Sequence, residues 1–178
     1  MKYLFLFVLV LVNTVIYGQP VKNTSYTTQS GEKVLRLELT IPIDLDSAWQ
    51  LFTKDALLEK WIAPVAHIEL KTGGYILTNY DKTKPLSDSS SIRLKIINYI
   101  EKELLTLKVK LNDAFPKSVQ NDDDNLQELI RFVYVGPQQT KIVSSMVGWG
   151  HGGDWDRTYD FFVKGNIWTY EQIEKLFK

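Results

Sequence analysis

The 178-residue chain contains no cysteine, and only two histidines and two methionines. The missing cysteine excludes disulfides, a cysteine nucleophile, thiolate metal ligands and a lipid-modified N-terminal cysteine. An excess of either charge is also missing, since 21 basic side chains face 21 acidic ones. A general nucleic-acid binder carries a basic surplus, so nucleic acid is not an expected partner. Nor is there a hydrophobic run of the length a bilayer demands, about 20 residues. The longest runs only from Tyr3 to Val12. No internal repeat is present.

That short run does carry a message. Lys2 precedes it, Asn13 and Thr14 interrupt it, and Val15, Ile16, Tyr17 and Gly18 follow. One basic residue, a short apolar stretch and then small or polar residues read as a secretory signal peptide over residues 1–18. The competing reading is an uncleaved anchor. Cleavage falls after Gly18 or Gln19, although Ile16 is large for the −3 position. Its removal costs the chain a single charge and leaves no stable membrane span. The product is expected in the periplasm or outside the cell, stable from its core alone. Residues 19–32, rich in Thr, Ser and Gln, read as a flexible leader. The sequon at Asn23-Thr24-Ser25 is too short a match to carry weight.

The rest, 33–178, reads as one domain large enough for a real core. Leu35, Leu37, Leu39 and Ile41 alternate with Arg36, Glu38 and Thr40, the mark of a half-buried strand that ends at Pro42. Asp46 is placed to cap a short helix with Trp49, Leu51 and Phe52, and a second runs from about Asp55 to Trp61. Strands follow: Ala66 to Leu70, a turn at Gly73-Gly74, then Tyr75 to Tyr80. Asp81 to Ser90 is a polar loop. Ile92, Leu94 and Ile96 alternate until the phase slips at Ile97, which predicts a bulge. Leu105 to Leu111 alternates, then Asn112 to Asn125 forms a loop. Leu129 to Val135 and Thr140 to Val147 pair across Gly136-Pro137-Gln138. One apolar face per strand indicates an antiparallel sheet covered on one side.

After Val147 the period becomes helical, with Trp155, Tyr159, Phe162 and Val163 on one face. Lys164-Gly165-Asn166 predicts a stop or kink. Thr169 to Gln172 has the form of a capping box, with Trp168 and Ile173 as its staple. The fold class is therefore α+β. A curved antiparallel sheet of about seven strands covers a long or broken C-terminal helix.

Three segments give this order a familiar look. They are Asp46 to Thr53; Leu58 to Pro64 with Gly73-Gly74 and Thr78 to Asp81; and Gly148-Trp149-Gly150 with Gly153 to Asp156 and Tyr159 to Phe162. Over residues 33–178 the chain resembles the START/Bet v-like (SRPBCC) superfamily, which has the helix-grip fold. Within it, the likeness is to the bacterial branch related to the C-terminal domain of the activator of the heat-shock-protein-ninety ATPase, the Aha type. The resemblance implies a cavity between sheet and C-terminal helix, where many relatives hold lipids or other apolar molecules. Some relatives are cyclases or hydrolases, and the Aha branch includes chaperone regulators, so the fold does not fix a function. The chain departs from that branch in its export signal and in its long acidic loop.

Candidate chemistry is sparse. Gly148 to Gly153 satisfies G-x-G-x-x-G, but the remaining residues are helical and offer no βαβ unit. The glycines instead suit a sharp strand-to-helix turn. His67 falls on a polar strand face and reads as solvated. His151 lies in the Gly-rich turn at the expected cavity mouth, where Asp154 or Asp156 would orient it as a base; the plain alternative is a loop histidine. Asp122 to Asp124 lacks the glycine and glutamate of a calcium loop and reads as solvated. Ser144 and Ser145 sit mid-strand without a nucleophile elbow. Asp154 and Asp156 suit a helix start. No metal and no cofactor are expected. Trp61, Trp149, His151, Trp155, Tyr159 and Phe162 are the candidate cavity residues, with core packing as the competing reading of the aromatics. The expected function is an exported, non-enzymatic binder of a hydrophobic small molecule or lipid. The alternatives are a protein-interaction module of the Aha type, its protein partner unknown, or a cyclase or hydrolase-like enzyme.

Overall fold

In a computed structural model, which describes residues 20–178, the alternation of the first long strand becomes its burial pattern. The expected signal segment lies outside the described residues. In β3 (Lys33–Ile41), Leu35, Leu37, Leu39 and Ile41 are buried while Arg36, Glu38 and Thr40 remain partly accessible. Two short helices follow, α1 (Leu45–Thr53) and α2 (Asp55–Leu58), then β4 (Val65–Ile68) and β5 (Tyr75–Asn79). The chain continues through β6 (Ile92–Ile100), β7 (Leu104–Lys108), a single helical turn α3 (Lys117–Gln120), β8 (Gln127–Gly136) and β9 (Gln139–Val147). It ends in α4 (Gly153–Lys175).

The seven long strands form one antiparallel sheet in the order β3-β9-β8-β7-β6-β5-β4. β3 pairs with β9 from Leu35 opposite Met146 to Ile41 opposite Thr140. β4 to β9 run as a meander, so α1 and α2 carry the chain from β3 to the far edge. The register slips between Ile96 and Asn98, which is the expected bulge. The apolar face of the sheet packs with Trp49, Leu51 and Phe52 of α1 and with Trp155, Tyr170 and Ile173 of α4 in one core. This is the α+β helix-grip architecture expected from the sequence.

Four local expectations are corrected. Residues 19–32 are not a loose leader throughout, because β1 (Lys22–Asn23) and β2 (Tyr26–Thr27) both pair with β3. Their polar composition hid them, since short edge strands need no apolar alternation. The cap of α1 is Asp44, whose carboxylate accepts from Ser47 N at 2.8 Å; Asp46 lies inside the first turn. α4 runs unbroken through Gly165. Instead of capping a new helix, Thr169 Oγ1 donates to Gly165 O at 2.9 Å, and Trp168 faces solvent. The packed ends of the helix, Trp155 and Thr158 at one side and Tyr170 and Ile173 at the other, outweigh a glycine penalty of about 1 kcal/mol.

The fourth correction concerns the aspartate run. Asp123 is fully buried, accepting from Leu111 N at 2.8 Å and from Lys110 Nζ. Asp122 accepts from Trp155 Nε1 at 3.1 Å. These contacts tie the 112–125 loop to the segment that follows β7 and to α4. The turn into α4 uses its glycines as expected. Gly148 has φ +82°, and a Cβ there would lie 1.8 Å from Asn125 O. At Gly150 a Cβ would meet the Trp155 indole at 2.1 Å.

Candidate functional site

Between α4 and the β5–β8 part of the sheet lies a cavity of about 390 Å³. Such a volume suits a small ligand, for which pockets of about 300–1,000 Å³ are usual. Its deep wall is apolar: Phe52 and Trp61 come from the α1–α2 region, Ile76, Leu107 and Ile130 from the sheet. The walls follow from strand alternation, since these sheet residues share the inward face. The cavity reaches the surface past Tyr80, Phe161 and Trp168, which line it and are 54%, 60% and 53% exposed. Exposed aromatics at an opening can contact an entering apolar molecule before it is desolvated.

One acidic side chain lines this cavity. Glu128, near the start of β8, shares the inward parity of Ile130 and Phe132. Its Oε1 accepts from Ser144 Oγ at 2.6 Å and from Tyr170 OH at 3.2 Å. Among the described residues, Oε2 accepts no hydrogen bond and the carboxyl has no ion-pair partner. Burial pushes the Glu128 carboxyl above the ordinary glutamate range, against the pull of its two hydroxyl donors. Burial and the neighbouring carboxylate push the Tyr170 hydroxyl well above the usual tyrosine range. The site thus holds one fixed oxygen and one free oxygen of a carboxyl in an apolar chamber.

The aromatic set expected from the sequence divides in two. Trp61 and Phe162 line the cavity. Trp61 packs at a tilt against Phe52, ring centroids 4.6 Å apart, while its Nε1 donates to Leu51 O at 2.9 Å. Trp149, Trp155 and Tyr159 do not line it. They pack together at the start of α4, with Trp149 5.0 Å from Tyr159 and 6.3 Å from Trp155. Trp149 and Trp155 are part of the core, and Tyr159 packs against it. Phe162 bridges the groups, 5.6 Å from Trp149.

His151 is also outside the cavity lining and is exposed. Its expected orienting partners are engaged elsewhere: Asp154 with Ser118 and Arg157, Asp156 with Lys33 at 2.6 Å. His67 is exposed, and its Nδ1 lies 2.7 Å from Asp55 Oδ2. Sequence reasoning missed Glu128, Ser144 and Tyr170. A signal for them existed: a charged residue and a serine in the inward phase of two apolar strands, opposite a tyrosine one turn before Ile173.

With this geometry in view, the protein shares its helix-grip fold with two solved structures, an Aha1 dimer and an HSP90 activator. It is similar to the Aha1 dimer from Colwellia psychrerythraea, at 15% identity and TM-score 0.55, covering 80% of this chain and 98% of that one. It is also similar to PFC0360w, an HSP90 activator from Plasmodium falciparum, at 14% identity and TM-score 0.53, covering 80% and 94%. Protein EF2215 from Enterococcus faecalis, of unknown function, matches at 16% identity and TM-score 0.51 over 71% of this chain; the match spans 61% of its own length. No family model and no curated protein matches the sequence. These likenesses describe the fold. Among the described residues, no helix is long and apolar enough to cross a membrane.

Proposed function

We propose that the protein is an exported, non-enzymatic carrier that holds a hydrophobic small molecule or lipid beneath α4. One observation carries this reading: an apolar chamber of about 390 Å³ that opens to solvent between exposed aromatics. A folded chain gains by filling such space, because an unfilled apolar wall forfeits its dispersion contacts. The test is organic extraction of protein purified from its native host, followed by mass spectrometry, with uptake of a fluorescent apolar probe as the second measurement. A stoichiometric extracted ligand, or saturable probe uptake, supports the reading. Protein that yields no ligand and takes up no probe overturns it. Export is tested by fractionation of the native host, where recovery in the cytosol would overturn that part.

A second reading is an interaction module, favoured by the likeness to the Aha1 and HSP90-activator structures. Its test is cross-linking in the compartment where the chain resides, and a monomer without partners would count against it. The enzyme alternative loses its named base, because His151 does not line the chamber.

A further inference from the structure

Glu128 is unexplained by a purely apolar carrier. A carboxyl turned into an apolar chamber loses part of its hydration, and an apolar side chain of similar volume would avoid that cost. Yet the fold equips it. Ser144 from β9 and Tyr170 from α4 both donate to Oε1, so the carboxyl plane is held from two sides. The second oxygen is left without a protein donor among the described residues, on a side chain that lines the chamber. The other titratable lining groups are Tyr80, Tyr170 and Lys110. Lys110 is paired with Asp123, and so no lysine or arginine neutralises Glu128 among the described residues. Tyr170, whose hydroxyl touches the carboxyl, belongs to an aromatic group on the chamber wall: its ring lies 6.0 Å from Trp61 and 6.4 Å from Phe52, centroid to centroid.

A carboxylate with one free oxygen, in an apolar chamber that Phe52, Trp61 and Tyr170 also line, has the parts that recognise a desolvated cation. The ammonium N–H donates to the free oxygen, the rings supply negative faces, and the chain of the ligand covers the apolar wall. A fatty acid is the opposite case, since its carboxylate would meet another carboxylate. We propose that the chamber selects amphiphiles bearing a cationic nitrogen, with Glu128 as the anchor for the amine and Ser144 and Tyr170 as the groups that orient it. This rests on the reading of the chamber as a ligand site. The binding step balances simply: where the carboxyl is neutral in the empty chamber, uptake of the ammonium releases its proton to solvent.

The test compares decylamine, decanol and decanoate by calorimetric titration of the full-length chain, in wild type and in Glu128→Gln. Gln keeps the shape and removes the charge. Wild type is expected to bind decylamine roughly tenfold or more tighter than decanol, and decanoate most weakly. In Glu128→Gln the amine advantage disappears while decanol affinity stays. Tyr170→Phe provides a second variant, expected to narrow the amine advantage without abolishing decanol binding. Equal affinity for amine and alcohol in wild type, tightest binding of decanoate, or an amine advantage that survives Glu128→Gln would each overturn the amine proposal and leave the carrier reading standing. Failure of all three probes to bind wild type would overturn both.

Discussion

At the scale of single residues, two inward-turned carboxylates differ in how they are satisfied. Glu128 has a folded-state value raised above the ordinary 4.5 by burial. A raised value means the folded state holds its proton more tightly than the unfolded chain. The associated cost is absent below the ordinary value and grows as pH rises through the folded value. Glu128→Gln removes that cost. Its melting temperature relative to wild type is therefore expected to rise as pH increases above the ordinary glutamate value, measured by calorimetry at fixed ionic strength. A difference that stays flat or falls would contradict the assignment. Asp123 instead is fully satisfied: it accepts from Leu111 N and Lys110 Nζ, and Lys108 Nζ donates to its carbonyl at 2.7 Å. Asp123→Ala strands the Leu111 N–H and is expected to cost about 1–3 kcal/mol in denaturant unfolding, with Asp123→Asn losing less. Neither role was legible from residue type alone. Three aspartates in a polar loop look solvated until the fold turns one of them inward.

At the scale of elements, strands were the legible part, because their two-residue period states which face is buried. β3, the bulge in β6 and the β8–β9 hairpin all follow from alternation. Local signals misled where tertiary packing outweighs them. Lys164-Gly165-Asn166 has the composition of a helix end, yet α4 is held on both sides of it. Nothing lies within 4 Å of a Cβ built at Gly165. Gly165→Ala should therefore stabilise the fold, by about 0.5–1 kcal/mol, because helix propensity rises and the unfolded chain loses freedom. The same substitution at Gly150 is expected to have the opposite sign, since its Cβ would press on the Trp155 indole at 2.1 Å. Comparing the unfolding midpoints of Gly165→Ala and Gly150→Ala checks both signs in one experiment. Equal effects would contradict the open space at Gly165 or the close approach of Trp155 at Gly150.

At the scale of the whole molecule, the order of elements and the three motif segments were enough to reach the helix-grip fold. The chamber wall was not legible to the same degree, because core and lining residues share one chemistry and differ only in whether a neighbour fills the space beside them. That is why Trp149 and Trp155 looked equivalent to Trp61, although only the last borders the chamber. The same ambiguity separates the carrier from the interaction module, since the fold serves both. A variant that closes the chamber while leaving the exterior intact tells them apart. Leu94 in β6 is partly buried and lines the chamber on the sheet side. Leu94→Trp directs a larger ring into open volume, so it avoids most of the 1–3 kcal/mol usual for overpacking a filled core. Uptake of an apolar probe is expected to fall by about tenfold or more, while the melting temperature moves by only about 2–4 °C or less. Under the carrier reading, biological activity falls with probe uptake. Under the interaction reading, partner cross-linking is unchanged, because the new ring faces inward and the outer surfaces of the sheet and α4 keep their side chains.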